Sequence, residues 1–330
     1  MKNGENKMKK KKEYKRMFEN PEYRLPITDD EHKKILDFFF KIDEFEIYKE
    51  IYDLLRGKNF SMFNLNKIFN DERFKTKYHA ANYSPYELLM NKELLGFVKW
   101  YVLKHKKDFY EEKKGIEGKI YTFLQFKREF KLASVFPVKQ AIKIYKKYNI
   151  NGKIYDYSCG WGNRLTAALV LGLEYYGVDV NCKLIPKYYK LVEMFKKVTH
   201  KDYKVDIRCQ SSEVFVPEWE NKIGFAFSSP PYFNVELYPI EKQFKSESDW
   251  NNYLNKTFEN GYRYLIKNGI FAMNIKENKN GIKIDEIISI GEKYFKFIKT
   301  DVLRVNNATR PIAKNKKISL DEPILIFKKV

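Results

Sequence analysis

The chain has 330 residues, of which 44% are hydrophobic and 17% aromatic, enough to fill a large core and to exclude a mainly disordered protein. It has no run of about 18 apolar residues, so a membrane span is not expected. It begins MKNGENKMKKKKEYKR without an apolar signal region, so we expect a cytoplasmic protein.

The charge indicates a partner rich in phosphate, because the chain has 63 Lys and Arg residues but only 43 Asp and Glu residues, which gives a formal charge of +20. An AT-rich genome would raise the lysine count without a functional cause, so charge alone does not decide for nucleic acid. Residues 1–25 are a basic tail that we predict to be disordered.

The cysteines and histidines show no metal or disulfide pattern. Cys159, Cys182 and Cys209 have no CxxC spacing, and the four histidines are scattered. The sequence therefore predicts neither a metal site nor a disulfide framework.

Residues 26–130 are predicted to be mainly helical. Thr28 and Glu31 have the spacing of a capping box at the start of a helix that Gly57 would end, and a second helix starts at about Ser84. We interpret this region as a candidate DNA-engaging or target-recognition region.

From residue 131 to 330, short apolar runs alternate with amphipathic helices. Such an alternation predicts an α/β fold with a doubly wound, mostly parallel seven-stranded sheet, closed by a terminal antiparallel hairpin. The strand candidates are KIYDYS, LEYYGVDV, KVDIRC, IGFAFSS, GIFAMNIK, FKFIKTDVLRV and EPILIFKK. Ligands of such sheets bind at the carboxyl ends of the strands.

The first strand runs into a glycine loop in DYSCGWGNR. Gly160 and Gly162 allow a tight turn and a close approach of the backbone to a ligand. A dinucleotide fingerprint would have a third glycine where Leu165 stands, so a loop that holds a pyrophosphate is disfavoured. A plain strand-to-helix turn is the structural alternative.

Two carboxylates then indicate the ligand. Asp179 ends the next strand about 20 residues further on, where an acidic side chain takes the hydroxyls of a ribose. Asp156, in the loop itself, suits a ligand with an amino group. Together they favour S-adenosylmethionine over a nicotinamide.

The segment FSSPPYFN has two prolines and an aromatic directly after an apolar strand. Proline gives up its N–H, so the pair ends the strand and leaves carbonyls without a ladder partner.

With these motifs, residues from about 136 to 330 resemble a class I S-adenosylmethionine-dependent methyltransferase, and FSSPPYF resembles the motif of DNA methyltransferases that modify exocyclic amino groups. Motif order, spacing and the helical N-terminal region are similar to phage and prophage DNA methylases, which implies a nucleoid-associated protein or one encoded by a phage, with restriction-modification among the candidate roles. The cofactor contacts implied by the resemblance are Phe136, Pro137, Asp156, Ser158, Gly160, Gly162, Asp179, Asn181, Ser211 and Ser212.

The resemblance also assigns the catalytic motif. The Ser229 side chain and the Pro230 carbonyl would accept the two N–H bonds of the target amine, so that its lone pair points at the methyl group. Pro231 completes the motif, Tyr232 would stack on an extruded base, and Phe233 would form a second apolar wall. The structural alternatives are a turn residue for Ser229 and an ordinary buried aromatic for Tyr232.

Four further candidate site residues are supported only by their position after a strand or in a loop. Ser211 and Ser212 follow the third strand and would lie near the adenine of the cofactor or cap a helix. Arg310 and Lys314 lie between the last two strands, in a loop that would grip phosphate or simply be solvated.

The target base stays open between two amines. Serine before Pro-Pro is typical of enzymes that modify cytosine N4, which we favour slightly, while the glycine motif ahead of the Pro-Pro motif is common in enzymes that modify adenine N6. Methylation of RNA bases and a non-catalytic, methylase-like nucleic-acid-binding subunit are further alternatives. The sequence does not indicate the oligomeric state.

Overall fold

A computed structural model describes residues 17, 20–58, 60–79, 81–105, 115–126, 130–149, 151–233, 235–240, 244–275, 277, 283–303 and 322–330. Most of the predicted tail, residues 1–25, therefore lies outside the described residues. The chain divides into two compact units. The first contains residues 1–42, 70–134 and 236–239, and the second contains residues 43–69, 135–235 and 240–330.

The elements are numbered in chain order. The helices are α1 Asp29–Phe40, α2 Glu44–Leu55, α3 Phe63–Asn66, α4 Asn70–Arg73, α5 Pro85–Met90, α6 Lys92–Lys104, α7 Gly115–Phe126, α8 Val138–Tyr148, α9 Asn163–Leu171, α10 Ile185–Thr199, α11 Glu247–Tyr264 and α12 Ile284–Gly291. The strands are β1 Lys77–Tyr78, β2 Lys153–Asp156, β3 Glu174–Asp179, β4 Val205–Cys209, β5 Ile223–Ser228, β6 Glu236–Leu237, β7 Leu265–Asn274, β8 Lys296–Leu303 and β9 Glu322–Lys328.

The first unit is mainly helical in its described residues. The predicted capping box is present, because the Thr28 side chain accepts a hydrogen bond from the Glu31 backbone and the Glu31 side chain accepts one from Thr28. The single helix predicted from Thr28 to Gly57 is wrong. The backbone of Lys41 is extended, and the Asp43 side chain caps a new helix, α2.

The helix predicted from Ser84 is also divided. Ser84 and Glu87 form a capping box at the start of α5, and Asn91 then caps α6 with hydrogen bonds from two backbone N–H groups. An aromatic and aliphatic core fills this unit, including Phe39, Phe74 and Phe97. The short strands β1 and β6 pair antiparallel at its edge.

The second unit contains the predicted mixed α/β sheet. Its seven strands lie in the order β4-β3-β2-β5-β7-β9-β8, and β9 runs antiparallel to both of its neighbours. The first five strands in this order pair in parallel. Strands β8 and β9 pair antiparallel as predicted, while the loop that joins them lies outside the described residues.

The strand order places a switch point at the centre of the sheet. After β2 the chain builds β3 and β4 on one side and then crosses to β5 on the other side. Ligands of open α/β sheets bind at the carboxyl ends next to such a switch. The residues that end the strands there are Asp156, Asp179, Ser228 and Asn274.

Residues 43–69 group with the sheet, although the sequence interpretation placed them in the helical region of residues 26–130. Lys197 on α10 lies 3.8 Å from the Glu44 carboxylate and donates a hydrogen bond to the Tyr48 hydroxyl, both on α2. The predicted boundaries at residues 25 and 130, and the DNA-engaging role between them, stay predictions.

The prediction of no disulfide is wrong in one respect, because Cys182 and Cys209 form a disulfide with 5.0 Å between their Cα atoms. Cys209 ends β4 and Cys182 follows the adjacent strand β3, and a separation of 27 residues hides this proximity in the sequence. In the described part of the chain, no group of three metal-ligating side chains is found, and no helix is long and apolar enough to cross a membrane.

Candidate active site

The glycine loop after β2 has a backbone that favours glycine at two positions. Gly160 has φ 59° and Gly162 has φ 77°, both in the left-handed region. A Cβ atom at Gly162 would also lie 2.5 Å from Cζ of Phe69, which is buried against the loop. The loop therefore needs glycine for its conformation and, at residue 162, also for packing.

Asp156 is buried completely, and the protein itself uses all of its acceptor capacity. Oδ2 accepts hydrogen bonds from Arg164 Nε at 2.7 Å and from the Tyr175 hydroxyl at 2.6 Å. Oδ1 accepts from Arg164 and from the backbone N–H of Ser158, each at 3.2 Å. An ionised carboxylate has about four acceptor sites, so this one has none left for a ligand.

Arg164 is buried with Asp156. Burial alone would lower the pKa of its guanidinium, but the adjacent Asp156 carboxylate outweighs burial and raises that pKa. The guanidinium also donates to the Ser158 carbonyl and lies 5.9 Å from the ring centre of Phe136. This ion pair fixes the shape of the loop.

Asp179 ends the neighbouring strand and keeps some exposure. Its Oδ2 accepts from Gly160 N at 2.8 Å and from the Tyr188 hydroxyl at 3.2 Å, and its Oδ1 accepts from Asn181 N at 2.9 Å. Burial raises the pKa of this carboxyl to about 6, although these hydrogen bonds act in the opposite direction. One of its about four acceptor sites remains open.

Two asparagines lie beside these groups. The Asn181 side chain accepts a hydrogen bond from Lys183 N and shapes the turn after β3. Asn163 begins α9 directly after Gly162, and its buried Oδ1 has no hydrogen-bond partner among the described residues. A buried acceptor without a donor costs free energy unless a ligand or water satisfies it.

Hydrogen bonds join the glycine loop to the strand that carries the proline motif. Ser228 donates from its hydroxyl to the Ser158 carbonyl at 3.1 Å, and the Tyr157 hydroxyl donates to the Ser228 carbonyl at 3.1 Å. Phe136 packs edge-on against Phe227 with 5.3 Å between ring centres. The structure therefore brings the predicted residues Phe136 and Ser158 together with the proline motif.

Ser229 donates a hydrogen bond to the side chain of Asn274, with 3.0 Å from Oγ to Oδ1. Asn274 ends β7 and is 2% exposed, while Ser229 is partly exposed. The Asn274 Nδ2 group donates in turn to the carbonyl of Pro323 on β9 at 3.2 Å.

The two prolyl carbonyls differ. The Pro231 carbonyl accepts a hydrogen bond from the indole of Trp250 at 2.9 Å. The Pro230 carbonyl has no hydrogen-bond donor among the described residues. Of the two, the one next to Ser229 therefore keeps its acceptor capacity, although Pro230 itself is buried.

The two aromatic residues after the prolines have different surroundings. Phe233 is 7% exposed and belongs to the core of the sheet unit, so its main contacts are with the protein. Tyr232 is half-buried and packs against the same core.

Other predicted site residues lie further from these contacts. The Ser212 hydroxyl is buried against the hydroxyl of Thr257 on α11, at 2.7 Å. Ser211 is partly exposed and bonds to the Glu213 side chain, and Pro137 is exposed at the start of α8. Arg310 and Lys314, predicted to contact the substrate, lie outside the described residues.

Sequence reasoning missed several partners of the predicted residues. Asn274 had a usable signal, because it is a polar residue at the carboxyl end of a predicted strand in the same sheet. Arg164, Tyr175 and Trp250 had none, since their roles depend on contacts across the fold.

The residues present fit S-adenosylmethionine. The open acceptor site of Asp179 suits a ribose hydroxyl, and the unpaired Asn163 oxygen is a candidate acceptor for an amino group. Asp156 does not offer a free oxygen, so its predicted direct contact is less suited to this geometry than a positioning role through Arg164.

No protein-family model matches the chain, and no curated protein matches it. Solved structures with similar folds include the N-methyltransferase NodS of Bradyrhizobium japonicum WM9, at 6% identity, covering 58% of this chain and 93% of that chain, with a TM-score of 0.39. An S-adenosylmethionine-dependent methyltransferase of Methanosarcina mazei has 12% identity and a TM-score of 0.40, and the match covers 60% of this chain and 99% of that chain.

An S-adenosylmethionine-dependent O-methyltransferase of Thermotoga maritima has 14% identity, covers 60% of this chain and 66% of that chain, and has a TM-score of 0.39. At these identities and TM-scores, such likenesses do not bear on the activity or substrate of this chain. The fold assignment rests on the observed strand order, with its antiparallel strand β9, which agrees with the architecture that the motifs predicted.

Proposed function

We propose that this chain is a DNA methyltransferase that moves a methyl group from S-adenosylmethionine to the exocyclic amino group of an extruded base. Cytosine N4 is slightly favoured, and adenine N6 is the alternative. The observation that carries the proposal is the pair of acceptors at the end of β5, namely the Ser229 hydroxyl and the Pro230 carbonyl, which has no donor among the described residues.

An exocyclic amine is a poor nucleophile because its lone pair is delocalised into the ring. Two acceptors that bind its two N–H groups favour a pyramidal nitrogen, whose lone pair is then free to attack. Ser229 and Pro230 supply these acceptors, and the hydrogen bond from Trp250 to Pro231 holds the turn that carries them. Bound S-adenosylmethionine would supply the electrophilic methyl group on a sulfonium. The sulfur would leave with the electrons of the broken S–CH3 bond, and the methylated nitrogen would release one proton to solvent.

On the cofactor side, the chain would bind by the residues around the glycine loop. Asp179 accepts from the ribose, the backbone of Gly160 and Gly162 allows close approach, and Phe136 packs beside the methionine part. The Asp156–Arg164 pair keeps the loop in shape. Cofactor affinity should therefore depend on whether the Asp179 carboxyl is ionised.

The choice of DNA as substrate rests on the motif and on the charge of +20. Tyr232, half-buried beside the prolines, is the aromatic residue on which an extruded base would stack, since a paired and stacked base cannot reach the cofactor. The test is mass spectrometry of nucleosides from DNA methylated by the pure protein, and from DNA and RNA of cells that express it.

We expect N4-methylcytosine or N6-methyladenine in DNA from cells with the wild-type protein. Ser229→Ala and Tyr232→Ala should strongly lower the amount of product while cofactor affinity changes little. Tyr232→Phe is the matched control, because it keeps the aromatic ring and should keep the product. A product found only in RNA would replace DNA as the substrate, and cofactor binding without any methylated base would favour the non-catalytic alternative.

A further inference from the structure

Asn274 has an amide whose orientation is fixed by its neighbours. The carbonyl of Pro323 accepts hydrogen bonds and cannot donate one, so the group that faces it at 3.2 Å must be the Nδ2 amine. The other end of the amide, Oδ1, therefore faces Ser229 and can only accept.

The direction of the next hydrogen bond follows from this orientation. Because Oδ1 carries no hydrogen, the Ser229 hydroxyl must donate its single hydrogen to Asn274 over the 3.0 Å contact. The Ser229 oxygen then presents only lone pairs to a ligand. The chain of donors thus starts at Ser229, passes through Asn274 and ends at the backbone of β9.

This polarity matters for an amine. A hydroxyl that is free to rotate could donate its hydrogen to the nitrogen lone pair, which is the pair that has to attack the methyl group. A hydroxyl whose hydrogen is held elsewhere can only accept the N–H of the amine. Burial of Asn274, with 2% of its surface exposed, keeps water from competing with the Ser229 hydroxyl for the Asn274 Oδ1.

We propose that Asn274 is a positioning residue for methyl transfer, which holds the Ser229 hydrogen away from the substrate so that the Ser229 oxygen acts only as an acceptor for the target amine. The inference rests on the proposed function. It gives the strand β9 a part in the reaction, because its Pro323 carbonyl sets the orientation of Asn274.

The test is a double-mutant cycle of Ser229→Ala and Asn274→Ala, with kcat measured at saturating cofactor and DNA. Each single change should lower kcat about 10- to 100-fold, and the double variant should be no slower than the slower single variant, since both remove one oriented acceptor. Cofactor affinity should stay within about 3-fold of wild type.

Asn70→Ala is the matched control, because Asn70 is also a buried asparagine whose Nδ2 group donates to a backbone carbonyl, that of Phe39 at 2.8 Å. Its effect on kcat should multiply with that of Ser229→Ala, because the hydrogen bond of the Asn70 amide goes to Phe39. Thermal unfolding of all variants separates loss of fold from loss of orientation.

Asn274→Asp adds a readout that a merely structural role would not move. In its protonated form, the carboxyl group that this change introduces can donate to Pro323 and accept from Ser229 as the amide of Asn274 does. Its ionised form would repel the Pro323 carbonyl and turn away from it, so that the carboxylate no longer accepts from Ser229 in the same position. The ratio of variant to wild-type kcat should therefore fall about 10-fold or more as pH rises from about 6 to 9. This variant also tests the inference if Asn274→Ala fails to fold.

The outcomes separate the inference from the function on which it rests. Suppose that the wild type methylates DNA. The role of Asn274 is then overturned, with the proposed function intact, if kcat of Asn274→Ala stays within about 2-fold of wild type or if the kcat losses of Asn274→Ala and Ser229→Ala multiply in the double variant. A wild type that methylates no DNA base would overturn both. The inference is supported if the kcat losses of the two single variants do not multiply in the double variant and if the ratio of Asn274→Asp to wild-type kcat falls with pH.

Discussion

The aspartates that end β2 and β3 lie on neighbouring strands but have different environments. Asp156 accepts four hydrogen bonds from within the protein, two of them from Arg164. Asp179 accepts three, none of them from a cation among the described residues, and keeps some exposure. The same residue type at the same edge of the sheet thus carries a paired charge in one place and an unpaired one in the other.

This difference separates a structural carboxylate from one suited to a ligand. A buried charge with a well-bonded partner is satisfied, and removing the partner leaves an uncompensated ion. A buried carboxyl without a cation binds its proton more tightly, which is why the pKa of Asp179 is raised to about 6. Asp156 should therefore matter chiefly for folding and Asp179 for binding.

The largest expected effect is the loss of stability when the Asp156–Arg164 ion pair is broken. Arg164→Ala should lower the free energy of unfolding by about 3–5 kcal/mol, because it leaves the Asp156 carboxylate buried without its cation. Arg208→Ala is the matched control, since Arg208 forms a half-exposed pair with Asp206 and its loss should cost about 0–1 kcal/mol. Urea unfolding measures both, and equal losses would contradict the distinction.

The sheet itself could be predicted from local signals. Each of the seven predicted runs overlaps a strand, although β7 begins at Leu265, before the run GIFAMNIK. A parallel sheet covered by helices requires short apolar runs, and these stand out between amphipathic helices. The capping box at Thr28 was also readable from the chain. The break between α1 and α2 was not, since Asp43 reads equally well as a residue within a helix or as its cap.

The motifs indicated which strand ends form the site, but not what each side chain does there. Asp156 and Asp179 look alike in sequence, and only the contacts with Arg164 and Tyr175 show that the first is saturated. The packing of Phe69 against Gly162 joins residues about 90 positions apart, so no local pattern reveals it. Roles that depend on long-range partners are therefore set by the fold and not by the local sequence.

The second effect concerns binding at the unpaired site. Asp179→Ala should weaken S-adenosylmethionine binding by about 1.5–3 kcal/mol, or roughly 10- to 100-fold in Kd, because it removes a charged acceptor for the ribose. Asp206→Ala is the control, since Asp206 lies on the next strand and bonds to Arg208 and Trp219 instead. Calorimetric titration measures both, and similar affinities for the two variants would remove Asp179 from the cofactor site.

The third effect uses the raised pKa of Asp179. Its folded pKa of about 6 exceeds the usual 3.8, so its protonated form favours folding, fully below pH 3.8, and this contribution is lost as pH rises through about 6. Ribose hydroxyls donate to the ionised form, so cofactor affinity should instead fall about 10-fold between pH 7 and pH 5. Titrations of the wild type and of Asp179→Asn measure this, and we expect the variant to show little pH dependence over that range.

The smallest effect distinguishes the two serines after β4, both predicted to contact the cofactor. The Thr257 hydroxyl donates to the Tyr253 carbonyl at 2.8 Å, so it must accept from Ser212, and Ser212→Ala should cost about 1 kcal/mol of stability with cofactor affinity unchanged. Ser211 is partly exposed, so Ser211→Ala should change stability by less than about 0.5 kcal/mol. If Ser211 contacts the adenine, Ser211→Ala should weaken cofactor binding severalfold, as measured by calorimetry. Weaker binding in Ser212→Ala instead would assign the adenine contact to Ser212, because its buried hydroxyl would then have to leave Thr257 to reach the ligand.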